Sequence, residues 1–264
     1  MGSISGLVCI CAASLLLVPV AAGVGAAETI DIGSRRELFV DDYLIERMEG
    51  EVELRLHSPV PREVVIVHDR PWEGNTCGYH TIFQDGSLYR MYYRGSDFDM
   101  KKKKSLHPEL VCYAESRDGI RWMRPELGLV EFDDSRDNNI IWAGVGAHDF
   151  TPFKDANPQR TANARYKALG RGPDRTLFAF QSPDGLHWRL LRDEPILSDG
   201  AFDSQNLAFW DSVRGEYRCY YRDFRDGRRD IKVATSKDFL DWTPGQWLTY
   251  PGAPAEHLYT NQIM

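Results

Sequence analysis

Cysteine is scarce in this chain, and its distribution excludes a complete disulfide framework. Five of the 264 residues are cysteines, and two of them, Cys9 and Cys11, fall in an apolar N-terminal segment. The remaining three are Cys77, Cys112 and Cys219. Because three is an odd number, the alternatives are one disulfide with one free thiol, or three free thiols. No Cys-x-x-Cys pair or His/Cys ligand spacing is present, and we therefore expect neither a metal nor another cofactor.

Charge is absent from the first 27 residues. An apolar run from Leu7 to Val20 is followed by small residues that end at Ala27. This order is typical of a signal peptide, which predicts cleavage after Ala27, a secreted or periplasmic protein and no membrane association after cleavage. The segment also lacks the usual Lys or Arg at its start, so an uncleaved anchor remains an alternative.

The chain lacks an excess of positive charge and lacks long helical patterns. Its net charge of −7 argues against a nucleic-acid partner. Beyond residue 30 no long stretch has helical periodicity, whereas aromatic residues reach 12% and Gly and Pro are frequent. The composition therefore favours one all-β domain.

One turn motif occurs three times at intervals of 66 and 54 residues. The copies read Ser116-Arg-Asp118-Gly119-Ile-Arg-Trp122, Ser182-Pro-Asp184-Gly185-Leu-His-Trp188 and Ser236-Lys-Asp238-Phe239-Leu-Asp-Trp242. Ser and Asp bond readily to nearby backbone N–H groups, and Gly tolerates positive φ, so we interpret these residues as turn formers rather than catalysts. A repeat of this size predicts a repeat architecture.

Each copy of the motif follows alternating, aromatic-rich segments that predict β-strands. In the third unit these segments are Asn206–Trp210, Gly215–Tyr221 and Asp230–Ala234, and each other unit has counterparts. Together with the segment after each Trp they give four antiparallel strands per unit, which describes a β-propeller blade. We thus expect an all-β propeller with about three blades in residues 72–264.

Two further segments bear on where the propeller begins and ends. Residues 28–71 contain three strand-like stretches, Glu37–Asp41, Val52–Leu56 and Val64–Val67, which we assign to N-terminal strands and partly to a closing blade. Residues 256–264 resemble the first strand of a fourth unit without its partners. Because propellers close with four to eight blades, we expect the sequence to be truncated.

The repeated Ser-x-Asp-Gly-x-x-Trp turn, together with Tyr89-Arg-Met-Tyr92-Tyr93 and its counterpart Tyr217-Arg-Cys-Tyr220-Tyr221, resembles the five-bladed propeller glycosidases. That superfamily includes glycoside hydrolase families 32, 43 and 68. The opening Leu38-Phe-Val-Asp41-Asp42 looks like the start of secreted bacterial proteins of this type. The resemblance implies a five-bladed fold and three carboxylates, from the first three blades, that act as base or nucleophile, pKa-tuning group and general acid.

One candidate carboxylate stands before or on the first strand of each unit. Glu73, Asp149 and Asp203 precede their units' Tyr residues by similar distances of 16, 17 and 14 residues. We predict these three as the catalytic residues, although Asp and Asn also favour strand entries for structural reasons. Family 43 enzymes usually supply Glu as the acid, where this chain has Asp203.

Other polar or aromatic residues near these positions could bind sugar hydroxyls or stack on a sugar ring. The predicted substrate-binding residues are Trp72, His80, His148, Gln205, Asn206 and Arg222. The resulting hypothesis is a secreted glycoside hydrolase that cleaves an oligosaccharide or polysaccharide. The alternatives are a carbohydrate-binding propeller without catalysis and a propeller that serves as an interaction scaffold.

Overall fold

The computed structural model describes residues 29–35, 37–39 and 41–262, so the predicted signal peptide lies outside the described residues. The chain divides into two compact units between Arg62 and Glu63, and every described strand belongs to the second unit. The described residues are all-β apart from three short 3₁₀ helices, which are Ala147–Asp149, Ala162–Ala164 and Pro173–Arg175. They include no helix that is long and apolar enough to cross a membrane.

Three four-stranded antiparallel sheets follow one another along the chain. In spatial order, sheet 1 contains β1 (Gly78–Asp85), β2 (Leu88–Gly95), β5 (Leu110–Ser116) and β6 (Ile140–Ala143). Sheet 2 contains β7 (Thr151–Lys154), β8 (Tyr166–Arg171), β9 (Leu177–Ser182) and β10 (Arg189–Leu190). Sheet 3 contains β11 (Leu207–Asp211), β12 (Glu216–Arg225), β13 (Arg228–Ser236) and β14 (Gln246–Trp247). A small ribbon of β3 (Phe98–Asp99) and β4 (Lys104–Ser105) extends from sheet 1.

The first strand of each sheet faces a shared central cavity. Strand β7 lies in contact with both β1 and β11. These strands line a cavity of about 310 Å³ that includes His80, Phe83, Phe153 and Phe209. The three sheets therefore share a centre, where residues at the strand entries can meet.

Apolar side chains fill the space between neighbouring sheets. Tyr92 and Tyr113 of sheet 1 pack with Phe180 and Trp188 of sheet 2 in one buried cluster. A second cluster joins sheet 2 to sheet 3 through residues that include Leu169 and Tyr221. Each fully buried side chain of this size contributes about 1.5–3 kcal/mol of burial free energy, so these interfaces fix the sheets face to face.

The three copies of the turn motif form the same hydrogen bonds, as the repeat predicted. In the second copy the backbone N–H groups of Asp184 and Gly185 donate to the Ser182 hydroxyl at 3.3 and 2.8 Å. The Trp188 indole N–H donates to the Gly185 carbonyl at 2.9 Å. Trp122 and Trp242 make the equivalent bond at 3.1 and 3.2 Å. The three Trp residues therefore occupy equivalent positions.

The third copy places a phenylalanine in a backbone conformation that favours glycine. Gly119, Gly185 and Phe239 have φ values of 73°, 81° and 72°. Phe239 is fully buried, and its ring packs 5.1 Å from that of Tyr217 and 5.5 Å from that of Trp242. The packing of the ring offsets the strain of the left-handed conformation.

We expect Phe239→Ala to be less stable than Phe239→Gly, the reverse of their usual order. Both variants lose the buried ring, which costs about 3–5 kcal/mol. The alanine variant also keeps a Cβ in the left-handed region, at a further cost of roughly 1 kcal/mol. Urea unfolding of both variants measures the difference. An alanine variant as stable as the glycine variant would show that φ at residue 239 relaxes on mutation.

Two strand predictions differ from the structure. None of the described residues before Gly78 forms a strand, although Glu37–Asp41, Val52–Leu56 and Val64–Val67 alternate suitably. A strand requires a partner for its backbone N–H and C=O groups, and these segments have none in the described structure. Asp149 was expected at the start of a strand but ends a 3₁₀ helix, and β7 begins two residues later.

Candidate functional site

A polar cluster occupies the centre of the second unit, where the first strands of the three sheets begin. Tyr79 is the second residue of β1, His148 and Asp149 precede β7, and Asp203 precedes β11. His148 Nε2 lies 3.4 Å from a carboxylate oxygen of Asp203. The fold therefore brings together two of the three predicted catalytic carboxylates.

Asp149 is completely buried, and this burial favours its protonated form. One of its oxygens accepts a 2.7 Å hydrogen bond from the Arg171 backbone N–H, and the other accepts a 2.8 Å bond from the Asn206 amide. Burial raises the pKa of Asp149 to about 7, against the lowering effects of the Arg171 N–H and of nearby His148 and Arg171 charges. Asn206, predicted to bind substrate, anchors this carboxyl.

Asp203 is the exposed member of the pair. Its side chain is 53% exposed, and three basic groups face it: His148, Arg171 and Arg222. The Arg171 and Arg222 guanidinium nitrogens lie 3.5 and 3.4 Å from its two oxygens. The side chain of Asp203 is therefore open to solvent and has three basic side chains around it.

His148 stands between two carboxylates. Glu109, directly before β5, approaches its Nδ1 atom at 2.9 Å, while Asp203 faces its Nε2 atom. The hydrogen bond to Glu109 raises the pKa of His148, against a lowering effect of burial. Burial alone would raise the pKa of Glu109, but His148, Arg94 and Arg171 outweigh it and lower that pKa. The net effect favours the protonated form of His148 relative to a free imidazole.

Sequence reasoning missed Glu109, Arg94 and Arg171. Arg94 lies 3.6 Å from Glu109 and 3.3 Å from His148 Nδ1. Arg94 carried a signal, because it follows a Tyr-Tyr pair as Arg222 does. Glu109 carried no signal, because it is not repeated. The residues at its position before the counterpart strands β9 and β13 are Thr176 and Gly227, and only folding brings Glu109 to His148.

Glu73 belongs to a separate buried network. Its oxygens accept hydrogen bonds from Tyr93 at 2.6 Å, from Arg124 at 2.7 Å and from the Arg70 backbone N–H at 3.0 Å. Burial alone would raise the pKa of Glu73, but these donors and His68 outweigh it and lower the pKa to about 2. Among the described residues Glu73 shares no hydrogen-bond partner with Asp149 or Asp203, and its contacts favour the ionised carboxylate.

Three of the other predicted binding residues are engaged in protein contacts. The Trp72 indole N–H donates to Asn139 at 2.7 Å. The Gln205 amide donates to the His80 carbonyl at 3.1 Å. His80 faces His68 at 2.8 Å between Nε2 atoms and stacks on the Tyr93 ring. Gln205 and His80 also line the central cavity, where a ligand could reach them.

Strained backbone accompanies the polar cluster. Tyr79 and Phe202 have φ values of 54° and 51°, a region that side chains other than glycine rarely adopt. The Tyr79 ring lies 4.8 Å from the Arg94 guanidinium and 5.5 Å from the His148 ring. Such conformations persist only where surrounding contacts enforce them, and they are concentrated at functional sites.

Comparisons with known proteins do not assign a family. No family model matches the chain. Two uncharacterized proteins of Mycobacterium tuberculosis are 33% and 32% identical over 147 residues, which covers 55% of this chain and 42% of each relative. The chain therefore spans less than half the length of the curated relatives it matches.

Solved structures with similar regions are described as carbohydrate-active proteins. They include a fructofuranosidase from Schwanniomyces occidentalis, at 14% identity and a TM-score of 0.49, over 69% of this chain and 36% of that one. A glycosyl hydrolase from Bacteroides ovatus gives 17% identity and a TM-score of 0.41, over 64% of this chain and 50% of the other. Similarity of this degree does not assign an activity.

Proposed function

We propose that this chain supplies three blades of a five-bladed propeller of the glycosidase type and that its central cluster cleaves glycosidic bonds. Three four-stranded sheets with identical Ser-x-Asp turns and inner strands around one cavity support the propeller. The observation that carries the function is the juxtaposition of Asp203, His148 and Asp149 at the strand entries. The charge-free segment of residues 1–27 supports export.

Glycosidic cleavage needs one group that gives a proton and one carboxylate that activates water or attacks. Asp203 is the exposed carboxylate, suited to the second role. His148 and Asp149 are the two neighbours whose pKa values are raised. We assign the proton-donor role to His148, whose side chain is 24% exposed, and this role requires its buried Nε2 atom to become accessible when substrate binds. Fully buried Asp149 fits the tuning role. Glu73, the third predicted carboxylate, then has a structural role beside sheet 1, where it binds Tyr93 and Arg124.

A panel of neutral and acidic oligosaccharides and polysaccharides, incubated with the full chain, tests this function. We expect chromatography to show shorter products from at least one substrate. An Asp149→Asn/Asp203→Asn double variant should give none, and the exposed Asp241→Asn variant should match the wild type. Binding without any cleavage would favour the carbohydrate-binding module, and neither binding nor cleavage would favour the scaffold.

A further inference from the structure

Three side chains of metal-ligand type lie together at the start of β1. His68, Cys77 and His80 each offer one ligand atom, and these atoms all lie within 4.8 Å of one another. The two Nε2 atoms of His68 and His80 are only 2.8 Å apart. Two imidazoles and a thiol are the donor types that Zn²⁺ prefers.

The surroundings of His68 orient it as a ligand. Its other ring nitrogen, Nδ1, lies 3.3 Å from a carboxylate oxygen of Glu73. Glu73 is itself fixed by Arg124 and Tyr93. A proton on Nδ1 that points to this carboxylate leaves the lone pair of Nε2 free for a metal, an arrangement that recurs around protein zinc sites.

We propose that His68, Cys77 and His80 bind one Zn²⁺ ion, with a fourth position open to water or a ligand. The soft thiolate and the two imidazoles exclude Ca²⁺ and Mg²⁺, which take oxygen ligands. Bound zinc would tie the segment before sheet 1 to strand β1. His80 was predicted to contact substrate, and the zinc site gives this residue a different role.

Titration of the full chain with Co²⁺, followed by displacement with Zn²⁺, tests the site. We expect one equivalent of Co²⁺ to produce a thiolate-to-cobalt charge-transfer band that zinc removes. His80→Ala and Cys77→Ser should each weaken binding by about 100-fold or more, since even outer partners of a metal ligand contribute 10–100-fold.

Matched controls separate ligation from folding. Cys219→Ser, in sheet 3, and His187→Ala, on an exposed turn, should keep the band and the affinity. His80 is exposed, so its replacement by alanine should leave the fold intact even if Cys77→Ser disturbs the core. Absence of the band in the wild type, or full binding in His80→Ala, would overturn the proposal.

A different observation concerns the charge of the substrate. Arg222 is 3% exposed in its side chain, yet its Nε and Nη1 atoms have no hydrogen-bond partner among the described residues. The buried Nε atoms of Arg94 and Arg171 also lack partners there. Buried guanidinium nitrogens are rarely left unpaired, because the desolvation of each is costly.

Basic side chains outnumber acidic ones in the cluster although the whole chain carries −7. Three arginines and His148 face the side chains of Asp203 and Glu109, while burial raises the pKa of Asp149 to about 7. The guanidinium of Arg222 is held in place by the Tyr259 ring, 4.8 Å away. A planar guanidinium with free nitrogens matches the two oxygens of a carboxylate.

We infer that this site takes an oxyanion carried by the sugar, as in a uronic acid. The inference rests on the proposed function. Calorimetry with glucuronic acid, glucose and inorganic phosphate tests it. We expect glucuronic acid to bind at least tenfold more tightly than glucose, a difference of about 1.4 kcal/mol. Arg222→Lys should abolish that preference because it loses the guanidinium fork. Arg192→Lys, at an arginine that pairs with Asp241 outside the cluster, should keep it.

Equal affinity for glucuronic acid and glucose would overturn the inference even if the protein cleaves neutral glycans. If phosphate binds at Arg222 but glucuronic acid binds no better than glucose, the site takes a free inorganic anion. That result would also overturn the inference. Preference for glucuronic acid in a protein that cleaves no glycan would retain the oxyanion site and contradict only the proposed hydrolysis.

Discussion

Asp203→Asn is expected to lower kcat on a cleaved oligosaccharide by about 10²–10⁴-fold, the usual loss when an acid or base partner is removed. Asparagine preserves the shape of the side chain and removes the charge that faces His148, Arg171 and Arg222. Because Asp203 is 53% exposed, the fold should be retained. Initial rates and thermal unfolding of the variant measure both effects.

The matched control for this substitution is Asp241→Asn. Asp241 lies in the third Ser-x-Asp turn, is 84% exposed and also meets an arginine, Arg192, at 3.4 Å. Its replacement should leave kcat unchanged. If Asp203→Asn were as active as this control, Asp203 would be removed from the mechanism.

Asp149→Asn is expected to change the dependence of stability on pH. The pKa of Asp149 is raised from an unfolded value near 3.8 to about 7. The folded state therefore binds a proton that the unfolded chain has released, and the free energy of unfolding falls as pH rises between these values. The stability from this group is fully present below the unfolded pKa and is lost by the time pH has passed about 7.

The loss amounts to at most about 4 kcal/mol, since one pKa unit corresponds to 1.36 kcal/mol. Asparagine cannot ionise, so Asp149→Asn should gain stability relative to the wild type between about pH 4.5 and 8. Urea unfolding at both pH values measures the change, and the constant effect of altered hydrogen bonds cancels in the comparison. A difference between the two proteins that does not vary with pH would contradict a proton on Asp149.

The sequence predicted the repeat and its strands because the same local signals recur in each unit. The alternation in Glu216–Arg225 and the Ser236 turn specify strand and turn without distant contacts. Asp149 and Asp203 could be found because both precede the first strand of a unit. Their different environments could not, since burial of one and exposure of the other depend on packing against neighbouring sheets.

The residues that sequence reasoning missed or assigned differently depend on contacts that do not repeat. Glu109 and His68 have no counterparts in the other units, so no spacing revealed them. Glu73 occupies the predicted position, but Arg124, 51 residues away, holds its carboxylate in a buried ion pair. The strand-like stretches before Gly78 failed as strands because strand formation requires a partner and not only an alternating pattern.

The pH dependence of kcat/KM tests the central claim, that Asp203 acts beside proton-holding His148 and Asp149. We expect kcat/KM for the wild type to fall as pH rises and the proton of His148 is lost, at a higher pH than a free imidazole would give. In Asp149→Asn the fall should occur at lower pH, because the negative charge of Asp149 helps to raise the pKa of His148. A profile that stays flat from about pH 5 to 9, or a fall that does not move in the variant, would contradict the claim.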